Sequence, residues 1–387
     1  MEMRDANNAP SALSAAKSLI LAPADKARGN NINFLRFVAA SMVIVGHMGH
    51  FIDAEVPGIC SNSISTLAVK IFFVLSGFLI CESLLRDGQP FRYLVRRVFR
   101  IFPALIAVVL VSALVLGPLL TTLSTGEYYS AWRTWRYVVA NCLMNPQYDL
   151  PGVFETSPYP NAVNGSLWTL PVEFSMYLIL PAALFVLRRF HAERPGVLVL
   201  AFATSVLSLL RMAGVIEVSA VVWGTSLGSA LELVPYFFFG SYAALNPKVR
   251  DYLNVQVAFM VFFLLACISS ALPSVVGEAF VLLTLPYVIL SFSFAAPAAF
   301  GRAFAENDYS YGIYLWAFPI QQTLVSICGP DAFDVIVFSI ISFLVTFVFA
   351  AASWFLVERP ASRLGKRITK WSRSREAARA EARTRAA

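Results

Sequence analysis

The chain reads as long apolar blocks separated by short polar ones. Ten blocks approach the roughly 20 residues that carry a helix across a bilayer. They fall near 34–52, 66–85, 101–121, 166–187, 196–213, 226–245, 253–271, 278–300, 310–328 and 334–357. An even number of crossings puts both ends of the chain on one side. The segments on that side are 1–36, 86–100, 188–195, 246–252, 301–309 and 358–387, and they hold 26 of the 30 Lys and Arg. Only Lys70, Arg133, Arg136 and Arg211 lie elsewhere. Basic loops stay in the cytoplasm, so the asymmetry predicts cytoplasmic termini.

Composition agrees with this pattern. Apolar residues make up 58% of the chain and charged residues 14%, about half the share found in soluble domains. Mean hydropathy is +0.67. The predicted class is an all-α polytopic membrane protein of about ten transmembrane helices. Residues 1–30 are polar, lack the apolar core of a signal peptide, and are expected to form a disordered cytoplasmic tail. Residues 31–360 form the expected core. Residues 361–387 form a basic tail, expected to be partly helical or disordered. The net charge of +7 is an orientation signal and a potential site for anionic lipid or ligand. Its distribution excludes a nucleic-acid surface. The five scattered cysteines show neither metal-ligand spacing nor a disulfide framework.

Chemistry enters where polar groups interrupt the blocks. The first block contains LRFVAASMVIVGHMGHF, residues 35–51. Arg36 and His47 are separated by about three helical turns and share one face. An ionisable group at that depth must face protein or a water-filled cavity. His47 is therefore either a buried tie between helices or a catalytic base. His50 lies close to the same face. In RDGQPFRYLVRRVFRIFPA, Arg97 and Arg100 share a face, Arg92 and Arg96 form a second pair, and Pro103 is expected to open the next span. Such arginines anchor a membrane protein, or bind phosphates through bidentate bonds. Glu173 sits one to two turns inside the fourth block, placed to orient a histidine, bind acceptor hydroxyls or pair structurally. Trp168 just before it is a headgroup anchor or a substrate contact. Ser310, Tyr311 and Tyr314 form a hydroxyl stripe in the ninth block, as a polar seam or a substrate channel requires.

The longest external segment is 122–165. Its first half is expected to be an interfacial or re-entrant helix and its second half loop. Tyr128, Tyr129, Trp132, Trp135 and Tyr137 there form an aromatic belt or a platform for sugar rings.

Taken together, these stretches resemble the acyltransferase-3 family of integral membrane acyltransferases. Six pieces occur in family order. They are R-x10-H at Arg36 and His47, IFFVLSGFLI at 71–80, RRVFRIFP at 96–103, SLWTLPVEFSMYLILP at 166–181, YSYGIYLWAFP at 309–319 and WFLVERP at 354–360. The resemblance spans residues 30–365. It implies a ten-helix core in a bacterial inner (plasma) membrane. That core moves an acyl group, most commonly acetyl, from cytoplasmic acyl-CoA to a hydroxyl of a surface glycan or lipid-linked saccharide. It implies that His47 is essential and that Arg36, Arg97 and Arg100 serve the donor, with no permanently bound cofactor or metal. Phe174 stands where some members have a second acid, and Ala317 where some have histidine, which excludes those groups here. Larger members append a soluble domain after the core, and none is expected in this chain.

On this reading His47 and Glu173 are the catalytic residues. Arg36, Arg97 and Arg100 bind acetyl-CoA or another acyl-CoA. Trp168, Ser310, Tyr311 and Tyr314 line the substrate path. The rival readings are a flippase or transporter for a saccharide intermediate, and a lipid-binding scaffold. A transporter predicts paired broken helices and several intramembrane acids, which the sequence lacks.

Overall fold

In a bilayer a backbone finds no partner but itself, so apolar segments coil into helices. A computed structural model describes residues 30–297 and 299–386. The tail expected over 1–30 lies outside the described residues, apart from Asn30. The helices are α1 (Ile32–Phe51), α2 (Ile64–Asp87), α3 (Pro90–Val111), α4 (Thr125–Ser130), α5 (Trp132–Cys142), α6 (Thr169–Arg188) and α7 (Glu193–Met212). There follow α8 (Leu227–Leu245), α9 (Val255–Ile268), α10 (Ser274–Phe294), α11 (Ala299–Ala303), α12 (Ser310–Cys328), α13 (Val335–Ser353) and α14 (Arg359–Ala386). Among the described residues, sheet is confined to two antiparallel hairpins, Gly58–Ile59 with Asn62–Ser63 and Val221–Val222 with Thr225–Ser226.

Each expected apolar block is occupied by a helix. Seven helical stretches among the described residues are long and apolar enough to cross a membrane. The other three blocks differ for physical reasons. Helix α9 has 14 residues. Helices α8 and α12 have 19 residues each, but carry more polar and small side chains. Every residue of α12 from Ser310 to Gln322 is buried. A helix enclosed by other helices need not be as apolar as one facing lipid. The fold is thus an all-α polytopic membrane bundle with α12 near its centre.

Helices α2 and α8 approach unusually closely, through glycines on both. A Cβ on Gly77 would lie 2.7 Å from the Phe237 carbonyl carbon, and one on Gly240 would lie 3.0 Å from the Phe78 nitrogen. Gly77→Val is expected to push the helices apart, with an overpacking cost of about 1–3 kcal/mol or more. A lower melting temperature of the purified protein, with less folded material on size exclusion, checks this. Near this seam Lys70 is buried but fully satisfied. Its Nζ donates to Glu278 at 2.6 and 2.7 Å and to Asn62 at 2.6 Å, while Tyr236 donates to the same carboxylate at 2.9 Å.

Two expectations from the sequence are corrected. Pro103 does not open the third span: α3 begins at Pro90, with proline in its first turn, and runs through Pro103. Residues 92–100 are helical, as the shared faces of Arg97 with Arg100 and of Arg92 with Arg96 require. The external aromatics do not form one set. Helices α4 and α5 do form, but Tyr128 and Tyr137 point into the core, at 0% and 1% exposure. The Tyr128 and Tyr129 hydroxyls donate to the carbonyls of Ala113 and Leu114, within the π-helical turn Ser112–Leu116 that extends α3. Only Trp132 and Trp135 remain exposed enough for a belt or platform. The stretch after residue 360, expected to be partly helical or disordered, is helical. Helix α13 passes through a π-helical turn, Trp354–Glu358, directly into α14. Helix α14 then folds back on α3, where Glu376 accepts from Arg92 at 2.5 Å.

Candidate active site

The bundle has a basic end, where α3 meets α14, and a loop end, where residues 143–168 cap α1 and α12. Three cavities run between them and share walls. The first is a vestibule at the basic end. It is lined by six cations, Arg86, Arg96, Arg97, Arg100, Lys366 and Arg373, against two carboxylates, Glu82 and Asp87. Leu79, Arg97 and Arg100 also line the second cavity, which lies within the bundle. That cavity is the narrowest, walled by Phe72, Phe73, Ile101, Tyr177, Tyr311 and Tyr314, with Arg36, Ser76 and Glu173. Val69 and Tyr314 in turn border the third, a polar chamber at the loop end. The chamber holds His47, His50, Ser65, Thr66, Tyr159, Ser166, Trp168 and Glu232.

The arginines are not equivalent. Arg36 and Arg100 both donate to Asp308 Oδ2, at 2.9 and 2.6 Å, and Arg100 also reaches Glu358 at 3.3 Å. Two cations therefore meet two carboxylates. Asp308 lies just before α12, where its other oxygen accepts from the Ser310 hydroxyl at 2.5 Å and from the Ser310 amide at 3.2 Å. Burial would raise its carboxyl, but Arg36, Arg100 and the Ser310 bonds outweigh that and hold it down at about 2. Arg97 is different. Among the described residues it makes no ion pair, and its Nε is buried without a hydrogen-bond partner. The guanidinium lies between the rings of Tyr93 and Tyr177, at 5.6 and 5.8 Å from their centroids. It is the uncompensated cation at the junction of the vestibule and the narrow cavity.

The hydroxyl stripe of α12 divides. Tyr311 lines the narrow cavity and donates to the Ile101 carbonyl at 3.0 Å. Tyr314 separates the narrow cavity from the loop-end chamber, held by Ser166 O at 2.8 Å and Thr169 Oγ1 at 2.6 Å. Ser310 does not join them. It is fully buried against Asp308 and lines none of these cavities, because its position at the first turn turns its hydroxyl to the capping carboxylate.

Glu173 and His47 line different cavities, so the expectation that the acid orients the imidazole is not met. Glu173 accepts from Ser76 at 3.1 Å and from Tyr177. His47 packs edge-on against Phe318 and Phe51, at 5.2 and 6.2 Å. The Phe318 ring sits against Gly165, where a Cβ would lie 2.6 Å from its edge. Trp168 shares the chamber with His47. His50 is exposed at its mouth, tilted against Tyr159 at 5.4 Å.

Several site residues escaped the sequence reading. Asp308 carried a signal, an acid two residues before a serine that opens an apolar helix. Glu358 carried one too, as the lone acid of WFLVERP. Lys366 and Arg373 carried none, since only the fold of α14 brings them to the vestibule.

The helical bundle thus carries a cationic vestibule at one end, a histidine chamber at the other and an aromatic-walled cavity between them. The acyltransferase domain family matches residues 30–356, and the chain belongs to it. It is an integral membrane acyltransferase of the kind that transfers groups other than aminoacyl. An O-acetyl transferase of Shigella phage Sf6 is 31% identical over 341 residues, covering 86% of this chain and 96% of the relative. Nodulation protein 10 of Rhizobium leguminosarum bv. viciae is 28% identical over 359 residues, covering 87% and 94%. The peptidoglycan O-acetyltransferase OatA of Listeria monocytogenes is 26% identical over 335 residues, covering 77% of this chain and 51% of the relative. No solved structure matches the chain significantly.

Proposed function

We propose that this acyltransferase moves an acyl group, acetyl above all, from cytoplasmic acyl-CoA to a hydroxyl of a surface glycan or lipid-linked saccharide. The membrane is the bacterial plasma membrane and the basic end faces the cytoplasm. The observation that carries the reading is the line of three cavities, with cations at one end and His47 at the other. The excess of basic loops at the vestibule end and the names of two relatives support it.

The phosphates of the donor sit in the vestibule, where guanidinium forks bind them by charge-assisted bonds. Arg97 is the main contact, since Arg36 and Arg100 already serve Asp308 and Glu358. The pantetheine arm threads the narrow cavity past Tyr311 and Tyr314, bringing the thioester to the chamber. The acceptor enters from the loop end past Trp168. His47 takes the hydroxyl proton as the oxygen attacks the thioester carbonyl. The carbon–sulfur bond then breaks, and the coenzyme A thiolate leaves and recovers that proton. Acyl-CoA is a substrate in this scheme, and no resident cofactor takes part.

Arg97→Met tests the donor site. Losing a hydrogen bond to a charged group costs about 1.5–3 kcal/mol. The KM for acetyl-CoA is therefore expected to rise roughly tenfold to a hundredfold, with the KM for the acceptor unchanged. Equal KM values for acetyl-CoA in the variant and the parent would remove Arg97 from the donor site.

A further inference from the structure

His47 lacks a described partner for its second ring nitrogen. Its Nδ1 is buried without a hydrogen bond. A neutral imidazole has one donor and one acceptor nitrogen, and a partner on one fixes the role of the other. Glu173, the acid expected to serve, lines another cavity. His50 and Glu232 share the chamber, but neither is hydrogen-bonded to the ring, and Glu232 is paired with Arg211 at 2.7 Å.

Gln321 on α12 reaches across to α1 one turn from His47. It is completely buried. Its Nε2 donates to the Ile44 carbonyl at 2.8 Å, one turn before His47 on α1. That bond fixes the carboxamide beside α1. Its Oε1 is a buried acceptor without a hydrogen bond, and His47 Nδ1 is a buried ring nitrogen left equally unpaired. Two buried polar atoms left unpaired are costly, and a bond from Nδ1–H to Oε1 would satisfy both.

We propose that Gln321 positions His47. Its carboxamide oxygen accepts the Nδ1 proton, which leaves Nε2 bare to take the acceptor's proton. Gln321 touches neither substrate and acts only through the imidazole. This proposal rests on the reading of His47 as the base.

The test is a double-mutant cycle in membranes, measuring transfer of labelled acetyl from acetyl-CoA. Gln321→Met keeps the volume but removes the acceptor. Gln321→Glu, neutral when buried, keeps both a donor and an acceptor. Gln321→Met is expected to lower kcat roughly 10–100-fold, the range for losing the partner that orients a functional histidine. The KM for acetyl-CoA should not move. Gln321→Glu should recover most of the rate. In a His47→Ala background Gln321→Met should cost nothing further, because residues acting as a unit are not additive. A merely structural role would lower both backgrounds alike. An unchanged rate for Gln321→Met, or an equal loss in both backgrounds, overturns the proposal. If His47→Ala itself retained full transfer, the reading of His47 would fail and the positioning role with it, an outcome separable from the other two.

Discussion

Replacing His47 with alanine is expected to reduce acyl transfer by about 10²–10⁴-fold, the contribution of a positioned general base. The loss should fall on kcat, because the ring lies in the loop-end chamber while donor binding is built at the vestibule. Acetyl-CoA binding, followed by competition with labelled coenzyme A, should stay near the parent value. The substitution creates a small cavity between Phe51 and Phe318. A melting curve separates that effect from the chemical one. His50→Ala serves as the control, since that ring is exposed at the chamber mouth, and its loss should leave transfer within a few-fold of the parent.

The second large effect belongs to Asp308. Its carboxylate holds Arg36 on α1 and Arg100 on α3, and caps the first turn of α12. Asp308→Asn leaves two partly buried guanidiniums short of a counter-charge. Breaking such a pair costs about 3 kcal/mol, the low end of the buried range, because these side chains keep some exposure. The melting temperature should fall, and turnover with it, as the narrow cavity loses its frame. The pH dependence has a defined sign. The folded carboxyl is held at about 2, below its ordinary 3.8, so its contribution is complete above about pH 4 and is lost as pH falls toward 2. The stability gap between parent and variant should be full at pH 7 and shrink as pH falls below 4. Transfer between pH 5 and 8 should carry no signature of this group.

The sequence exposed the local parts of this site and hid the paired ones. Arg36 and His47 stand one above the other because helical geometry alone fixes their face. The helices were legible because apolar length is a local property. Arg36 and Arg100 looked like free phosphate ligands because their counter-charge, Asp308, lies 272 and 208 positions away. Glu173 looked like a partner for His47 because spacing says nothing about which cavity a side chain enters. Ser310 looked like part of the tyrosine stripe because its capping acid sits outside the helix. The chain after 360 read as a partly helical or disordered tail because its sequence is polar and basic. Its docking depends on contacts such as Arg92 with Glu376, which no local pattern announces. Gln321 passed unnoticed for the same reason, as one amide among apolar neighbours whose meaning comes from the ring it faces.

Sidedness tests the central claim most directly. Proteoliposomes are prepared with labelled acetyl-CoA sealed on the face that carries Arg97 and with a glycan acceptor only on the opposite face. The account predicts that label appears on the acceptor with wild-type protein and stays at background with His47→Ala. Label on the acceptor at equal rates with and without His47, or transfer only when both substrates share one face, would contradict it.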